Sequence, residues 1–301
     1  MKNPENLKKG DIVSIVAPAG KIDYTKILNA QKYLEILGLK VITGENINKN
    51  YYQFSAKPEQ RLLDFQQAIN DKNIKAIFCA RGGYGSVQII NKLDFTEFIK
   101  NPKWIIGYSD ITVLHSYLNT ITKTCSIHGT MPINYPENLK ENESLQSLRK
   151  LLFGEKIEYK IKSSKENILG NVQGELIGGN LSILYSLRGT PYDIDTNNKI
   201  LFIEDVSEYL YNIDRIMYNL KLGGKLAKLK ALIVGSFTDI KDNEQPFGMS
   251  VKEIILDSVK EYNFPVIFDF PAGHQEQNYA LKFGCDIKII SNKDFISLSF
   301  L

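Results

Sequence analysis

Cysteine and histidine are both scarce in this sequence, which has three of each among its 301 residues. The cysteines, Cys79, Cys125 and Cys285, are widely spaced, form no CxxC pair and have no histidine at metal-ligand spacing. A structural zinc site is therefore not expected, and nothing in the sequence requires a cofactor. Each cysteine lies in or beside an apolar segment, which predicts small buried side chains.

A basic tract and a long hydrophobic run are also missing. The 37 basic residues are nearly balanced by 34 acidic ones, and lysine is spread along the whole chain. Nucleic acid is therefore not an expected partner. No apolar stretch approaches the length of a membrane span, and the N-terminal segment has no secretory h-region. We therefore expect no membrane association and a cytoplasmic location.

What the sequence does have is an alternation of strands and helices in its first half. Apolar runs predict strands over residues 11–18, 74–80 and 103–108, with a candidate fourth at 125–130. Helical spacing predicts a helix over residues 24–38, another that begins at Pro58 and a third over the segment VQIINKL, residues 87–93. This alternation predicts an α/β fold with a parallel sheet covered on both faces, and ligands bind such sheets at the carboxyl ends of the strands.

The pattern changes after about residue 135, so we place a domain boundary between residues 140 and 170. The second half contains further strands and helices, among them a strand over residues 199–206. It closes with two strand runs around a Ser-Asn-Lys-Asp turn, which is typical of a hairpin. We predict an N-terminal domain over residues 1–150, a linker over 151–164 and a second domain over 165–301.

Ser109 stands where an apolar strand meets a predicted helix, in the segment WIIGYSDIT. The commonest role for a serine at this place is to cap the helix. The alternative is a strand-turn-helix elbow, in which Gly107 lets the turn tighten and the helix N-terminus offers N–H groups to an oxyanion. An elbow of the G-x-S-x-G kind has a second glycine, where this chain has Ile111. Local sequence therefore favours the cap.

A nucleophilic serine requires a base, and the chain has three histidines. His115 lies one turn into the predicted helix, which favours packing or a surface position. His128 lies at a possible strand end and is a minor candidate. His274 follows an apolar strand and a Pro-Ala-Gly turn, so it lies on a loop of the kind where α/β enzymes hold their bases. A loop histidine with no role is an equal alternative.

Two carboxylates, Glu204 and Asp205, end the apolar strand KILFIEDV. An acid at the end of a buried strand is costly unless it is paired or lies at the solvent edge. In a serine triad, such a carboxylate orients the imidazole and stabilises the imidazolium. Ser109, Glu204 and His274 follow the chain order Ser, acid, His, which some serine hydrolases use and others do not.

The segment CARGGYGS follows the strand at residues 74–80 and is rich in glycine. Glycine there indicates close approach of the backbone to a ligand, such as a nucleotide phosphate, but neither a G-x-G-x-x-G nor a P-loop pattern is complete. An equally good interpretation is that Gly82, Gly83 and Gly85 form a backbone wall, called the glycine wall below, that faces Ser109 and donates a second N–H group to the oxyanion. Arg81 is suited to a substrate carboxylate through its planar fork, and the alternative is a surface salt bridge.

Six segments occur in this order along the chain: GDIVSIVAPAG, ARGGYGS, IIGYSDITVLH, GELIGGNLSIL, LFIEDVSEYLYNIDR and FPAGHQEQNYALKFG. In these segments, from about residue 7 to residue 290, the chain resembles the LD-carboxypeptidase family of serine peptidases, the S66 group. The resemblance implies a Rossmann-like N-terminal domain, a smaller C-terminal α/β domain and an active site in the cleft between them. It also implies a cytoplasmic homodimer.

For the site, the resemblance implies a triad of Ser109, Glu204 and His274. It further implies an oxyanion hole formed by the backbone N–H groups of Asp110 and Gly83. No cofactor and no metal is implied. Arg81 is our prediction for the residue that anchors the terminal carboxylate of the substrate.

The implied substrate is a muropeptide or another small peptide, cut between an L-configured diamino-acid centre and a terminal D-alanine. A branch that resembles the microcin C immunity peptidase instead cleaves peptidyl or aminoacyl nucleotides, with an aromatic side chain stacked on the base. Tyr209 and Tyr211 are candidates for that side chain. Two other classes stay open: a nucleotide-dependent enzyme that uses RGGYGS as a phosphate cradle, and a binding protein whose three triad candidates do not converge.

Overall fold

The computed structural model describes residues 1–138 and 142–301 as an α/β fold with two sheets. The strands are β1 (Ile12–Val16), β2 (Lys40–Thr43), β3 (Ile74–Cys79), β4 (Trp104–Gly107), β5 (Ser126–His128), β6 (Glu158–Lys162), β7 (Val172–Asn180), β8 (Ile200–Val206), β9 (Ala231–Thr238), β10 (Val266–Ile267), β11 (Leu281–Phe283), β12 (Asp286–Ser291) and β13 (Phe295–Phe300). The α-helices are α1 (Tyr24–Ile36), α2 (Pro58–Asn70), α3 (Thr96–Lys100), α4 (Thr112–Tyr117), α5 (Glu143–Leu152), α6 (Leu181–Ser186), α7 (Leu210–Leu222) and α8 (Val251–Val259).

The first sheet has six strands in the order β11-β5-β4-β3-β1-β2. Strands β1 to β5 pair in parallel, and β11 joins the edge antiparallel to β5. Successive residues of β3 enter different cores, with Phe78 on one face of the sheet and Ile77 and Cys79 on the other. Both faces of β3 are therefore covered, which is why its sequence reads as an unbroken apolar run. The predicted parallel sheet is confirmed.

The second sheet has seven strands in the order β10-β9-β8-β7-β12-β13-β6. Strands β7 to β10 are parallel, whereas β12, β13 and β6 are antiparallel to their neighbours. The pairing of β12 with β13 confirms the hairpin that the sequence predicts at the C-terminal end. Strand β8, which carries Glu204, lies between β7 and β9 and is buried along most of its length.

The two sheets exchange segments near the predicted domain boundaries. Strand β11 lies within the predicted second domain but pairs with β5 of the first sheet. Strand β6 falls in the predicted linker, residues 151–164, and pairs with β13 of the second sheet. The division into residues 1–150 and 165–301 stays a prediction.

Within the described ranges, no helix is long and apolar enough to cross a bilayer.

Two local features differ from the sequence-based prediction. The segment VQIINKL, predicted as a helix, forms two short 3₁₀ turns, Ser86–Gln88 and Ile90–Lys92. Strand β2 was not predicted, because it is short and lies at the edge of the sheet, where none of its four residues is fully buried. An edge strand of this kind has no continuous apolar run to reveal it.

Candidate active site

Ser109 lies in a strained turn at the carboxyl end of β4. It begins the 3₁₀ turn Ser109–Ile111, which leads into α4, and its φ angle is +64°. Positive φ is rare for a residue other than glycine, and such strain is stored at functional sites. A Cβ at Gly107 would lie 2.8 Å from Cγ1 of Ile111, so the tight turn requires glycine at 107 and leaves Ile111 room to pack.

The helix-cap interpretation of Ser109 is wrong. Tyr108 rather than Ser109 holds the cap position of the turn Ser109–Ile111, and among the described residues no side chain caps this turn. A cap residue has an extended backbone, whereas Ser109 is left-handed. Its hydroxyl instead lies 3.1 Å from Nε2 of His274. The elbow interpretation agrees with this geometry.

Ser109, His274 and Glu204 form one chain of hydrogen bonds. Nε2 of His274 lies 3.1 Å from Ser109 Oγ, and Nδ1 lies 2.6 Å from Oε2 of Glu204. With the proton on Nδ1, His274 donates to the carboxylate, and Nε2 is left to accept the serine hydroxyl. Glu204 is fully buried at the end of β8, and the His274 side chain is one-fifth exposed. The three side chains therefore converge, which counts against a binding protein in which they do not.

The negative charge of Glu204 sets the protonation of the histidine. Burial alone would lower the pKa of His274, but the hydrogen bond and the charge of Glu204, with a smaller effect of Asp205, raise it above its ordinary value. Burial also raises the pKa of Asp205, to about 6, although that carboxylate accepts several hydrogen bonds. The imidazolium form of His274 is thus stabilised by the buried acids behind it.

Asp205 ties the end of β8 to the end of β7 and, through it, to the turn that follows Ser109. Its carboxylate accepts from Asn180 Nδ2 at 2.9 Å and from the backbone N–H and hydroxyl of Ser182 at 2.9 and 2.7 Å. The backbone N–H of Asn180 in turn donates to Thr112 Oγ1 at 3.0 Å. These contacts hold the two halves of the site in register. These contacts were not predicted. The Gly-Gly-Asn run in the segment GELIGGNLSIL, which contains Asn180, is the sequence feature that could have indicated them.

The glycine-rich segment after β3 packs against Ser109. A Cβ at Gly82 would lie 2.9 Å from Ser109 Cβ, 3.1 Å from Ser109 Oγ and 3.4 Å from the backbone nitrogen of Asp110. Gly83 follows with a φ of +96°, which favours glycine. Of the two interpretations of this segment, the structure therefore supports the wall beside Ser109. Gly82 is the residue that makes the close approach.

Two buried charged side chains hold the glycine wall in place. Asp110 is 1% exposed and accepts the backbone N–H of Ser86 at 2.8 Å. Arg61, also 1% exposed, donates to the carbonyl oxygens of Pro18 and Gly85 at 2.6 and 2.9 Å. Arg61 was missed by sequence reasoning, because an arginine in an amphipathic helix usually lies at the surface.

The other two histidines lie outside the hydrogen-bonded chain. His115 is buried, with Nδ1 2.8 Å from Ser126 Oγ and Nε2 2.9 Å from the carbonyl oxygen of Gly107. Burial lowers the pKa of His115 to about 4, and of the two positions that the sequence favours for it, packing or the surface, the structure shows packing. His128, the minor candidate, is fully buried with its ring 5.1 Å from that of Phe202.

The remaining candidates, Arg81, Tyr209 and Tyr211, are exposed or partly exposed. Arg81 is exposed and donates to the carbonyl oxygen of Lys21 at 2.7 Å, and it makes no ion pair with the residues described. The rings of Tyr209 and Tyr211 lie 5.6 Å apart at the start of α7, just beyond the end of β8. A carboxylate anchor at Arg81 and base stacking on either tyrosine stay predictions.

Two cavities flank the loop that carries His274. One, of about 170 Å³, has polar walls that include Tyr108, Thr130 and Asn278. The Tyr108 ring lies 4.9 Å from that of His274, so this cavity adjoins the hydrogen-bonded chain. The other, of about 300 Å³, is lined by Lys252 and Asp269 among others but by none of the three converging side chains.

In residues 1–138 and 142–301, no cluster of three side chains suited to a metal ion occurs.

A two-sheet α/β fold with a serine, a histidine and a carboxylate hydrogen-bonded at its strand ends is typical of serine hydrolases. The sequence matches two models of one family of such enzymes. The LD-carboxypeptidase N-terminal domain matches residues 13–129, and the LD-carboxypeptidase C-terminal domain matches residues 173–289, together more than half of the chain. The chain therefore belongs to the LD-carboxypeptidase family and is a serine-type carboxypeptidase.

Individual relatives agree with this assignment. The chain is 35% identical over 285 residues to a protein of Bacillus subtilis named probable murein peptide carboxypeptidase, covering 93% of this chain and 89% of that protein. Its fold is similar to that of muramoyltetrapeptide carboxypeptidase from Oxalobacter formigenes, with a TM-score of 0.87, 27% identity, and coverage of 96% and 98%. The microcin C7 self immunity protein MccF gives a TM-score of 0.86 at 24% identity with 98% of each chain covered, which shows the shared fold alone.

Proposed function

We propose that this enzyme hydrolyses the bond between an L-configured diamino-acid centre and a terminal D-alanine of a muropeptide. The observation that carries the proposal is the hydrogen-bonded chain from Ser109 through His274 to Glu204. The substrate class is supported by the names of the relatives from Bacillus subtilis and Oxalobacter formigenes. We further propose that the enzyme works as a cytoplasmic homodimer in the recycling of cell-wall peptides.

In the proposed reaction, Ser109 Oγ attacks the scissile carbonyl carbon while Nε2 of His274 takes the serine proton. His274 then gives this proton to the amine of the departing D-alanine, which leaves an acyl-enzyme on Ser109. Water attacks the acyl carbon with His274 again as the base, and His274 returns this proton to Ser109 Oγ as the ester bond breaks and the shortened peptide departs. Glu204 keeps the imidazole in the Nδ1–H form throughout and stabilises the imidazolium.

The oxyanion hole is proposed to consist of the backbone N–H groups of Asp110 and Gly83. The backbone nitrogen of Asp110 directly follows Ser109, whose φ is positive. Gly82 packs closely against Ser109, so the peptide unit between Gly82 and Gly83 lies beside the serine. Each such donor is typically worth roughly 3 kcal/mol of transition-state stabilisation. Asp110 would contribute twice, since its side chain also holds Ser86 of the glycine wall.

The substrate carboxylate is proposed to bind Arg81. Its guanidinium has no carboxylate partner among the described residues, and apart from Nη1, which donates to Lys21, it has further N–H groups to offer a substrate. The polar cavity beside Tyr108 and Asn278 is proposed to receive polar groups of the peptide, because it adjoins His274.

The proposed function is tested with a murein tetrapeptide that ends in D-alanine. We expect mass spectrometry to show the tripeptide and free D-alanine, and no cleavage of the matched tetrapeptide that ends in L-alanine. A peptidyl adenylate is incubated in parallel. Cleavage of the adenylate alone would contradict the muropeptide assignment and favour the nucleotide branch of the family.

Gly82→Ala is expected to lower kcat/KM for the tetrapeptide by about 100-fold or more, the loss that follows removal of one oxyanion donor. The added methyl group would lie 2.9 Å from Ser109 Cβ, so either the serine or the wall has to move. The matched control is Gly129→Ala, where the nearest atom to the added Cβ is 3.4 Å away. Equal activity of the two variants would contradict a glycine wall that shapes the site.

A further inference from the structure

Two of the three cysteines touch in a part of the fold that the proposed reaction does not use. Cys125 directly precedes β5, and Cys285 lies in the short link between β11 and β12. Because Phe283 pairs with Ser126 in antiparallel register, the chain brings the cysteines together although they are 160 residues apart. Their Sγ atoms lie 3.1 Å apart, closer than an ordinary sulfur contact.

The two thiols differ in access to solvent. Cys125 is 2% exposed, and the N-terminal segment lies over it, since its backbone N–H donates to the carbonyl oxygen of Lys2 at 2.8 Å. Cys285 is partly exposed. A small oxidant from solvent therefore meets Cys285 first. Cys79, the third cysteine, is fully buried at the end of β3.

The chemical environment also makes Cys285 the more reactive thiol. The hydrogen bond between the two thiols lowers the pKa of Cys285, and the nearby Lys282 ammonium lowers it further against the opposing effect of burial. The same hydrogen bond and burial raise the pKa of Cys125, and burial raises the pKa of Cys79. Since the thiolate is the nucleophile, Cys285 is suited to attack and Cys125 to resolve the product.

We propose that Cys125 and Cys285 form a reversible intramolecular disulfide when the protein meets hydrogen peroxide. The Cys285 thiolate attacks one peroxide oxygen, the O–O bond breaks, and Cys285 becomes a sulfenic acid while the released hydroxide takes up a proton to become water. Cys125 Sγ then attacks the sulfenic sulfur, and the hydroxyl leaves with the Cys125 proton as a second water. Two thiols and one peroxide thus give one disulfide and two waters, and a dithiol reductant reverses the change.

The bond would join β5 of the first sheet to the link that leads into the second sheet. It would close a loop of 160 residues, and cross-links across long loops constrain the unfolded chain most strongly. We therefore expect the oxidised protein to unfold about 5 °C higher or more than the reduced one. Catalysis should change less than about twofold, because neither sulfur contacts Ser109, His274 or Glu204.

The test is peroxide treatment of the full chain, followed by thiol titration in denaturant and intact mass. We expect the three titratable thiols to fall to one and the mass to fall by about 2 Da. Peptide mapping should identify a Cys125–Cys285 link, and dithiothreitol should restore all three thiols. The Tm shift should appear in wild type and in Cys79→Ala, which keeps the pair.

Two single variants decide the order of events. Cys125→Ser removes the resolving thiol, so peroxide should add one or more oxygen atoms to Cys285 and leave the Tm unchanged. Cys285→Ser should keep both remaining thiols under the same treatment. A wild-type chain that keeps three thiols, a link to Cys79, or a link between two molecules would each overturn the proposal. Because it does not involve the triad, it can fail while the peptidase assignment stands.

Discussion

Ser109→Ala is expected to lower kcat for the murein tetrapeptide by about 10,000-fold or more, because loss of a triad nucleophile removes the covalent route entirely. The serine hydroxyl lies 3.1 Å from Nε2 of His274, and alanine leaves that nitrogen without the proton it would accept. Folding should be unaffected, since alanine has the same Cβ at the left-handed backbone position. Steady-state kinetics with D-alanine detection measures the loss, and thermal unfolding verifies the fold.

The matched control is Ser116→Ala in the helix that follows. Ser116 is buried, and its hydroxyl has no hydrogen-bond partner among the described residues, so the same change seven residues further along the chain should cost little activity. A third variant, Ser109→Gly, should be as inactive as Ser109→Ala but more stable by about 1 kcal/mol, because glycine tolerates positive φ. Substantial activity in Ser109→Ala would end the proposal that this serine is the nucleophile.

The strain at Ser109 also explains why local sequence favoured the wrong role. The turn with its φ of +64° packs Gly107 against Ile111 and Ser109 against Gly82, and Gly82 belongs to a segment that is distant in sequence. From the segment alone, a serine before a helix is a cap. His274 lies beside Ser109 because the two sheets meet there. In the sequence, only the order of the motifs along the whole chain indicates this contact.

The fold was more predictable than the contacts that support the site. Strands β1, β3, β4 and β8 are buried on both faces, so each reads as an apolar run ended by a turn or a charged residue. The pairing of β11 with β5 was not predictable, because three residues of a long C-terminal segment return to the first sheet. The pairing of β11 with β5 also brings Cys285 to Cys125, and it holds β11, the strand that follows the His274 loop, against the first sheet.

The buried polar residues around the site were the hardest to predict. Arg61 and Thr112 look like ordinary surface positions in sequence, and the partners of Asp205 at its strand end are not evident there, yet each of the three is buried and hydrogen-bonded to another segment. A buried charge of this kind is tolerated only where several partners meet it. The hydrogen-bond partners of these residues come from distant parts of the chain, so the periodicity of the local sequence cannot predict them.

Glu204→Gln is expected to lower kcat by about 10,000-fold, the loss seen when a triad carboxylate becomes an amide. The carboxylate lies 2.6 Å from Nδ1 of His274 and fixes the tautomer that leaves Nε2 free. An amide can present its NH₂ group to the ring instead, and it cannot stabilise the imidazolium. The matched control is Glu158→Gln on the edge strand β6, which bonds Ser297 and not the histidine. Glu158→Gln should keep nearly full activity.

The same variant tests the electrostatics through pH. His274 must be neutral to accept the serine proton, so kcat/KM of the wild type should fall as the pH drops through the folded pKa of His274, which Glu204 raises above the ordinary histidine value. In Glu204→Gln the raising effect of the carboxylate is lost and burial dominates, so the pKa of His274 should fall.

Histidine NMR measures this change without any activity, because the chain has three histidines and burial lowers the pKa of the other two, to about 4 for His115. In wild type and Glu158→Gln, a single resonance should titrate with a midpoint above the ordinary histidine value, and in Glu204→Gln its midpoint should lie at lower pH. If its midpoint does not move, the Glu204 charge does not set the protonation of His274. The loss of activity would then have to come from the orientation of the ring alone.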